Sequence, residues 1–273
     1  MKTLLLDGPM GTCLGERGVD LSPPLWSARA LRDAPSAVAA IHQAYAEAGA
    51  DIHTANSFRT QPLKDPNWKE LLHLAVQIAR ENTTESSRIA GSMAPIEDCY
   101  RPDLSPKKSR HLHQQMAQEL ALSKVDLILC ETFPHPPEAL TALEEALKTG
   151  LECWLSLTAG PTGTLLAVEK ALCTAEKALD LGAALVAINC SSIESTKSFV
   201  EAFSKRNLPF GVYANAGEQH EGYGWSNDTQ QAARAYATQA AEWLNAGARM
   251  IGSCCGTSPA HTHALRELID ARD

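Results

Sequence analysis

Short, almost uninterrupted apolar runs recur along this chain, each followed by a longer segment of helical periodicity. The runs are Thr3–Gly8, Asp51–Asn56, Ser87–Ala94, Val125–Thr132, Cys153–Thr158, Ala184–Cys190, Phe210–Asn215 and Ala248–Cys254. Within them, Leu4-Leu5-Leu6 and Leu185-Val186-Ala187-Ile188 carry no polar alternation, as expected of strands buried on both faces of a parallel sheet. Between the runs, Ala37, Ile41, Tyr45 and Ala48 form one apolar stripe and Leu71, Ala75 and Ile78 another, at the three- and four-residue spacings of an amphipathic helix. Ala-Gly-Ala at 48–50 and again at 246–248 places Gly49 and Gly247 where a helix ends in a left-handed residue. Eight strands and eight helices in 273 residues predict an α/β fold, a single (β/α)8 TIM-type barrel over residues 1–273. An open doubly wound sheet is the alternative.

Composition excludes several classes. With 44% hydrophobic residues the chain is not disordered, and its net charge of −8 offers nothing to a phosphate backbone. No nucleic-acid partner is expected. No stretch approaches the roughly 18 apolar residues of a membrane span, and Asp7-Gly8-Pro9 breaks the opening Leu4–Leu6 run before it reaches the length of a signal peptide. These features predict a cytoplasmic protein without a membrane partner. Its eight cysteines are then expected as free thiols rather than a disulfide framework.

Two polar loops, Glu97–Lys108 after the third strand and Glu218–Asn227 after the seventh, fall on the face where such barrels place their active sites. Three cysteines end strands on that face: Cys190 after the sixth, Cys254 and Cys255 after the eighth. Their separation matches no zinc-finger spacing, but a barrel brings those strand ends together. Three thiolates would favour Zn²⁺ and leave a fourth position open, the pattern of a catalytic site. Buried cysteines also serve as small hydrophobes, although two adjacent ones cannot both face one core. The remaining five, Cys13, Cys99, Cys130, Cys153 and Cys173, read as ordinary thiols.

The strand ends resemble the homocysteine S-methyltransferase family from one end of the chain to the other. The matching motifs are Asp7-Gly8-Pro9-Met10-Gly11-Thr12, Asn56-Ser57-Phe58-Arg59-Thr60, Gly91-Ser92-Met93-Ala94-Pro95, Glu131-Thr132-Phe133, Asn189-Cys190, Tyr213-Ala214-Asn215-Ala216-Gly217 and Gly252-Ser253-Cys254-Cys255-Gly256. In the last, Ser253 stands where the family has a second glycine. The resemblance implies Cys190, Cys254 and Cys255 as ligands of Zn²⁺, with Asn215 completing the shell when substrate is absent. It implies Asp7 and Glu131 as acceptors for the ammonium group of homocysteine. The partners it implies are small molecules, homocysteine and a methyl donor. An onium donor (S-methylmethionine first, S-adenosylmethionine or betaine next) would rest on aromatic faces, for which Trp26, Phe58, Phe133, Tyr223 and Trp225 are candidates. Two other readings fit the same residues: a non-catalytic thiol- or metal-binding barrel, and a methyltransferase acting on another small thiol or selenol.

Other features carry no chemistry in this reading. His111 with His113, and His261 with His263, fall on predicted helices and are expected at the surface. His53 is in a position to line the barrel. There is no dinucleotide fingerprint among Gly8, Gly11 and Gly15, no phosphate-loop lysine near Gly160, and no nucleophile elbow.

Overall fold

A computed structural model describes residues 2–225 and 228–272. Eight parallel strands, β1 (Leu4–Leu5), β2 (Ile52–Thr54), β3 (Arg88–Met93), β4 (Leu127–Phe133), β5 (Glu152–Leu157), β6 (Leu185–Asn189), β7 (Phe210–Tyr213) and β8 (Met250–Ile251), follow one another around the sheet, with β1 pairing β8. The ring closes between β1 and β2 through a Leu6–Ile52 bridge, with Asp7 N–H donating to Ile52 O at 3.0 Å. The barrel and all eight strand predictions hold, and the open sheet is excluded.

Among the described residues there are ten α-helices rather than eight: α1 (Met10–Glu16), α2 (Ala30–Asp33), α3 (Pro35–Glu47), α4 (Trp68–Glu81), α5 (Arg110–Leu122), α6 (Pro136–Leu147), α7 (Val168–Leu181), α8 (Ile193–Lys205), α9 (Thr229–Asn245) and α10 (Pro259–Asp270). The two additional helices, α1 and α2, lie between β1 and α3. With the segment between them they build a separate apolar cluster from Cys13, Leu14, Leu25, Ala28 and Leu31 against Tyr45 and Ile41 of α3. Gly49 and Gly247 take φ of +92° and +101°, the left-handed helix exits that the sequence predicts. None of the described helices is long and apolar enough to cross a membrane.

Strand periodicity sorts the barrel interior into two ends. At the lower end Ile52, Leu127, Leu129, Trp154, Leu185 and Met250 form one buried apolar plug. Gly211 makes room for it, since a Cβ there would lie 2.6 Å from the Met250 Cε. Toward the C-terminal ends of β3 to β7 come Ser92, Glu131, Ser156, Asn189 and the hydroxyl of Tyr213, all buried. A carboxylate inside a barrel is tolerated only when it is hydrogen-bonded or used, so the upper layer is where chemistry is to be sought. Asn189 ties that layer together: its Oδ1 accepts from Ser156 Oγ (2.8 Å) and Thr132 N (3.2 Å), and its Nδ2 donates to Thr132 Oγ1 (2.8 Å).

Two of the four surface histidines are misplaced by the sequence reading. His113 is fully buried and pairs with Glu138 at 3.2 Å, and His261 is buried with its Nε2 2.7 Å from Tyr223 O. Helix residues two apart point to opposite sides, so one of each H-x-H pair turns inward while His111 and His263 stay outside.

Candidate active site

The C-terminal mouth of the barrel opens into a cavity of about 510 Å³. Its wall includes Asp7, Trp26, Phe58, Ser92, Glu131, Tyr213, Cys190, Cys254 and Cys255. The three cysteine sulfurs lie within 4.8 Å of one another. Sulfurs around a tetrahedral zinc at a Zn–S distance of about 2.3 Å stand roughly 3.8 Å apart, so this donor set matches a soft divalent cation in number and type. Cys190 and Cys254 are joined, their sulfurs in bonding contact across Cα atoms 5.7 Å apart. The expectation of eight free thiols therefore holds for six. The strand-end juxtaposition that makes a shared cation possible also brings this pair within disulfide range.

Local backbone supports the cluster. Cys190 and Thr132, each at the upper end of a strand, take φ of +46° and +63°. Left-handed non-glycine residues store on the order of 1–3 kcal/mol each and persist where the surroundings hold them; for Thr132 the Asn189 bonds do so. Ser253 fits where a glycine is expected: it is buried, and its Oγ accepts from Thr257 Oγ1 at 2.9 Å. Gly256, at φ +83°, leaves space for Trp225, whose Nε1 donates to Gly217 O at 2.6 Å.

Both predicted carboxylates are buried in the cavity wall. Asp7 Oδ2 accepts the Thr54 N–H at 2.9 Å. Glu131 takes Ser92 Oγ on Oε1 at 2.5 Å and the Tyr213 hydroxyl on Oε2 at 3.3 Å. Burial outweighs these bonds in each case. It pushes the Glu131 carboxyl up to about 7, and holds Asp7 well above the carboxylate range with a smaller contribution from the Glu131 charge. Among the described residues no lysine or arginine pairs with either. Two buried acids without a cationic partner, raised in this way, mark the wall as a candidate functional surface.

Of the aromatic candidates, Trp26 and Phe58 line the cavity and stack edge to face at 5.7 Å. The other three do not line it. Phe133 points into the shell between barrel and helices, Tyr223 packs against that core, and Trp225 is half exposed outside the cavity. Ser226 and Asn227, at the end of the second predicted rim loop, lie outside the described residues. The first rim loop supplies residues that sequence reasoning passed over: Tyr100 and Cys99 line the cavity. Both lie near enough to Cys255 for its charge to raise them further, although burial is the main cause, taking Cys99 up to about 12. Asn215 is buried outside the lining, close enough to act on the Tyr100 hydroxyl, and its Oδ1 has no partner.

Three cysteines beside buried acids at the mouth of a (β/α)8 barrel define the class: a barrel enzyme with its site at the C-terminal rim. The model of the family described as homocysteine S-methyltransferase matches residues 4–269, and the chain belongs to that family. It is 31% identical to the homocysteine S-methyltransferase of Escherichia coli (strain K12) over 96% of this chain and 94% of that one. A homocysteine S-methyltransferase of Bacillus subtilis (strain 168) is 29% identical over 94% and 91%. The metallated form of the homocysteine methyltransferase MmuM from Escherichia coli superposes with a TM-score of 0.79 at 26% identity, covering all of this chain and 97% of that one.

Proposed function

We propose that the enzyme transfers a methyl group from an onium donor, S-methylmethionine by preference, to the sulfur of L-homocysteine, giving methionine. One observation carries the reading: three cysteine sulfurs within 4.8 Å of one another share a cavity wall with two buried, cation-less carboxylates. An α-amino acid with a thiol end matches both features at once. Asp7 and Glu131 take its ammonium group, which in turn ionises them.

Cys190, Cys254 and Cys255 are the residues that would hold Zn²⁺, once the Cys190–Cys254 pair has opened. The unpartnered Asn215 Oδ1 is the acceptor available for a fourth position before substrate arrives. Bound there, the ion supplies a soft Lewis acid that keeps the substrate thiol deprotonated at neutral pH. Burial alone works the other way, since it pushes the Cys255 thiol up to about 11. Deprotonating a thiol of ordinary pKa near 8.5 at pH 7 contributes about 2 kcal/mol. Alignment for an in-line displacement contributes ~7–11 kcal/mol, so the residues that fix the two substrates dominate the rate. The substrate sulfur forms a bond to the donor methyl carbon as the donor C–S bond breaks, and that electron pair leaves on the donor sulfur.

The donor site is the aromatic wall of Trp26, Phe58 and Tyr100, whose ring faces favour an onium centre. Glu97 and Asp98 face the same cavity beside Arg59 and Lys64. That rim offers both signs of charge to a zwitterionic amino-acid head, as S-methylmethionine carries; betaine would use only the cations. The test is methionine formation by reduced, zinc-loaded enzyme from L-homocysteine with S-methylmethionine, S-adenosylmethionine or betaine. Turnover is expected to be fastest with S-methylmethionine, and silence with all three would leave the binding-protein reading.

A further inference from the structure

Next to Asp7, two histidines are buried side by side. His42 on α3 and His53 on β2 are fully buried, and none of their four ring nitrogens makes a well-aligned hydrogen bond, the Ala50 backbone being the one polar group close enough to act on His53. His53 Nδ1 stands 4.0 Å from Asp7 Oδ2, and the His42 ring meets the His53 ring edge to face at 6.2 Å. Neither imidazole reaches the cavity, whereas Asp7 does. Buried polar groups left unpaired in this way call for an explanation.

A cation is the first occupant to weigh, because one donor atom from each of Asp7, His42 and His53 falls within 4.8 Å of the others. A metal-bound imidazole, however, donates its second N–H to a carboxylate, carbonyl or water that holds the ring. His42 has no such acceptor on either nitrogen. The arrangement fits a different use. A neutral imidazole carries one N–H, and burial keeps both rings neutral, pushing His53 down to about 4 and His42 to about 3.

We infer that His53 is a positioning residue for Asp7: its Nδ1–H closes onto Oδ2 when a bound ammonium group holds Asp7 ionised. This rests on the reading of Asp7 as an ammonium acceptor. Oδ2 already accepts the Thr54 N–H at 2.9 Å. A second donor on that oxygen fixes the carboxylate plane and leaves Oδ1 for the ligand. The closure is about 1 Å, from 4.0 Å to hydrogen-bond length. No proton changes owner, since His53 stays neutral as the Nδ1–H tautomer. The edge-on His42 ring sets the plane from which His53 approaches.

The experiment compares two thiols on the reduced, zinc-loaded enzyme by titration calorimetry: L-homocysteine and 4-mercaptobutyrate, which lacks only the amino group. His53→Leu is expected to weaken L-homocysteine roughly 10-fold and leave 4-mercaptobutyrate unchanged. His53→Asn, whose amide N–H can replace Nδ1–H, is expected to restore affinity to within about 3-fold. In the wild type, ¹⁵N spectra should show the proton already on His53 Nδ1 becoming hydrogen-bonded on adding L-homocysteine, with the neutral tautomer unchanged; this readout stands even if His53→Leu does not fold. Equal weakening of both thiols, or no effect on either, overturns the inference. So does a metal equivalent that survives Cys190, Cys254 and Cys255 all changed to Ser and disappears in His53→Leu. Asp7→Asn separates the two layers of the argument. If it leaves L-homocysteine affinity intact, the ammonium reading fails; if it weakens binding while His53→Leu does not, only the role of His53 fails.

Discussion

The two ends of the barrel use carboxylates in opposite ways. At the lower end, Asp51 and Asp126 each precede a strand and accept the backbone N–H of a neighbouring one, Leu5 at 2.8 Å and Ile89 at 2.6 Å. Each also meets the protein's own cations, Asp51 with Lys2 and Arg266, Asp126 with Arg80. At the upper end, Asp7 and Glu131 are buried with neutral donors and meet no lysine or arginine among the described residues. The lower acids complete the fold. The upper ones have no such partner, and the proposed ammonium contact is what would complete them.

That contrast can be broken at graded points. The largest effect is expected at the sulfur cluster, where Cys190→Ser should abolish stoichiometric zinc, read by elemental analysis. Activity should fall by more than the ~10–100-fold that loss of an outer partner of a metal site produces. Next, Glu131→Gln and Asp7→Asn should each raise the KM for L-homocysteine roughly 10–100-fold, the loss of a charged hydrogen bond. Neither should lower the melting temperature, because each removes a buried acid that lacks a cation.

The pH dependence sharpens the same point. Glu131 is raised in the folded state to about 7 from an ordinary 4.5. Its contribution to stability is therefore fully present below pH 4.5 and is lost as pH rises through 7. Glu131→Gln should gain on the wild type in thermal melts as pH goes from 5 to 8, by at most about 3 kcal/mol. A constant difference across that range would contradict the assignment. The smallest effect belongs to the lower end: Asp51→Asn should cost about 1 kcal/mol of stability and change kcat/KM less than ~2-fold.

Much of this was legible in the sequence because parallel buried strands leave a plain signature. Leu185–Ile188 and Leu4–Leu6 read as strands from their apolar continuity, and once eight are counted the barrel brings Cys190 beside Cys254. Asp7 and Glu131 were found through the family resemblance of the motifs that carry them, Asp7–Thr12 and Glu131–Phe133. What the sequence withheld depends on side-chain direction and on segments without periodicity. Helices α1 and α2 are short and flank turns, so the cluster that seats Trp26 left no pattern. His113 and His261 look like surface residues until the helix phase turns them inward. The place of Tyr100 and Cys99 against Cys255 is set by the path of a polar loop, which no residue spacing encodes. His42 and His53 are eleven residues apart in different elements, and their shared pocket exists only after β2 and α3 pack.

The most direct test of the central claim is zinc-edge X-ray absorption on the reduced, metal-loaded enzyme, before and after L-homocysteine. The account predicts three sulfur ligands and one lighter atom in the free enzyme, changing to four sulfurs with substrate. Fewer than three sulfurs at the start, or a coordination shell unaltered by saturating L-homocysteine, would contradict it.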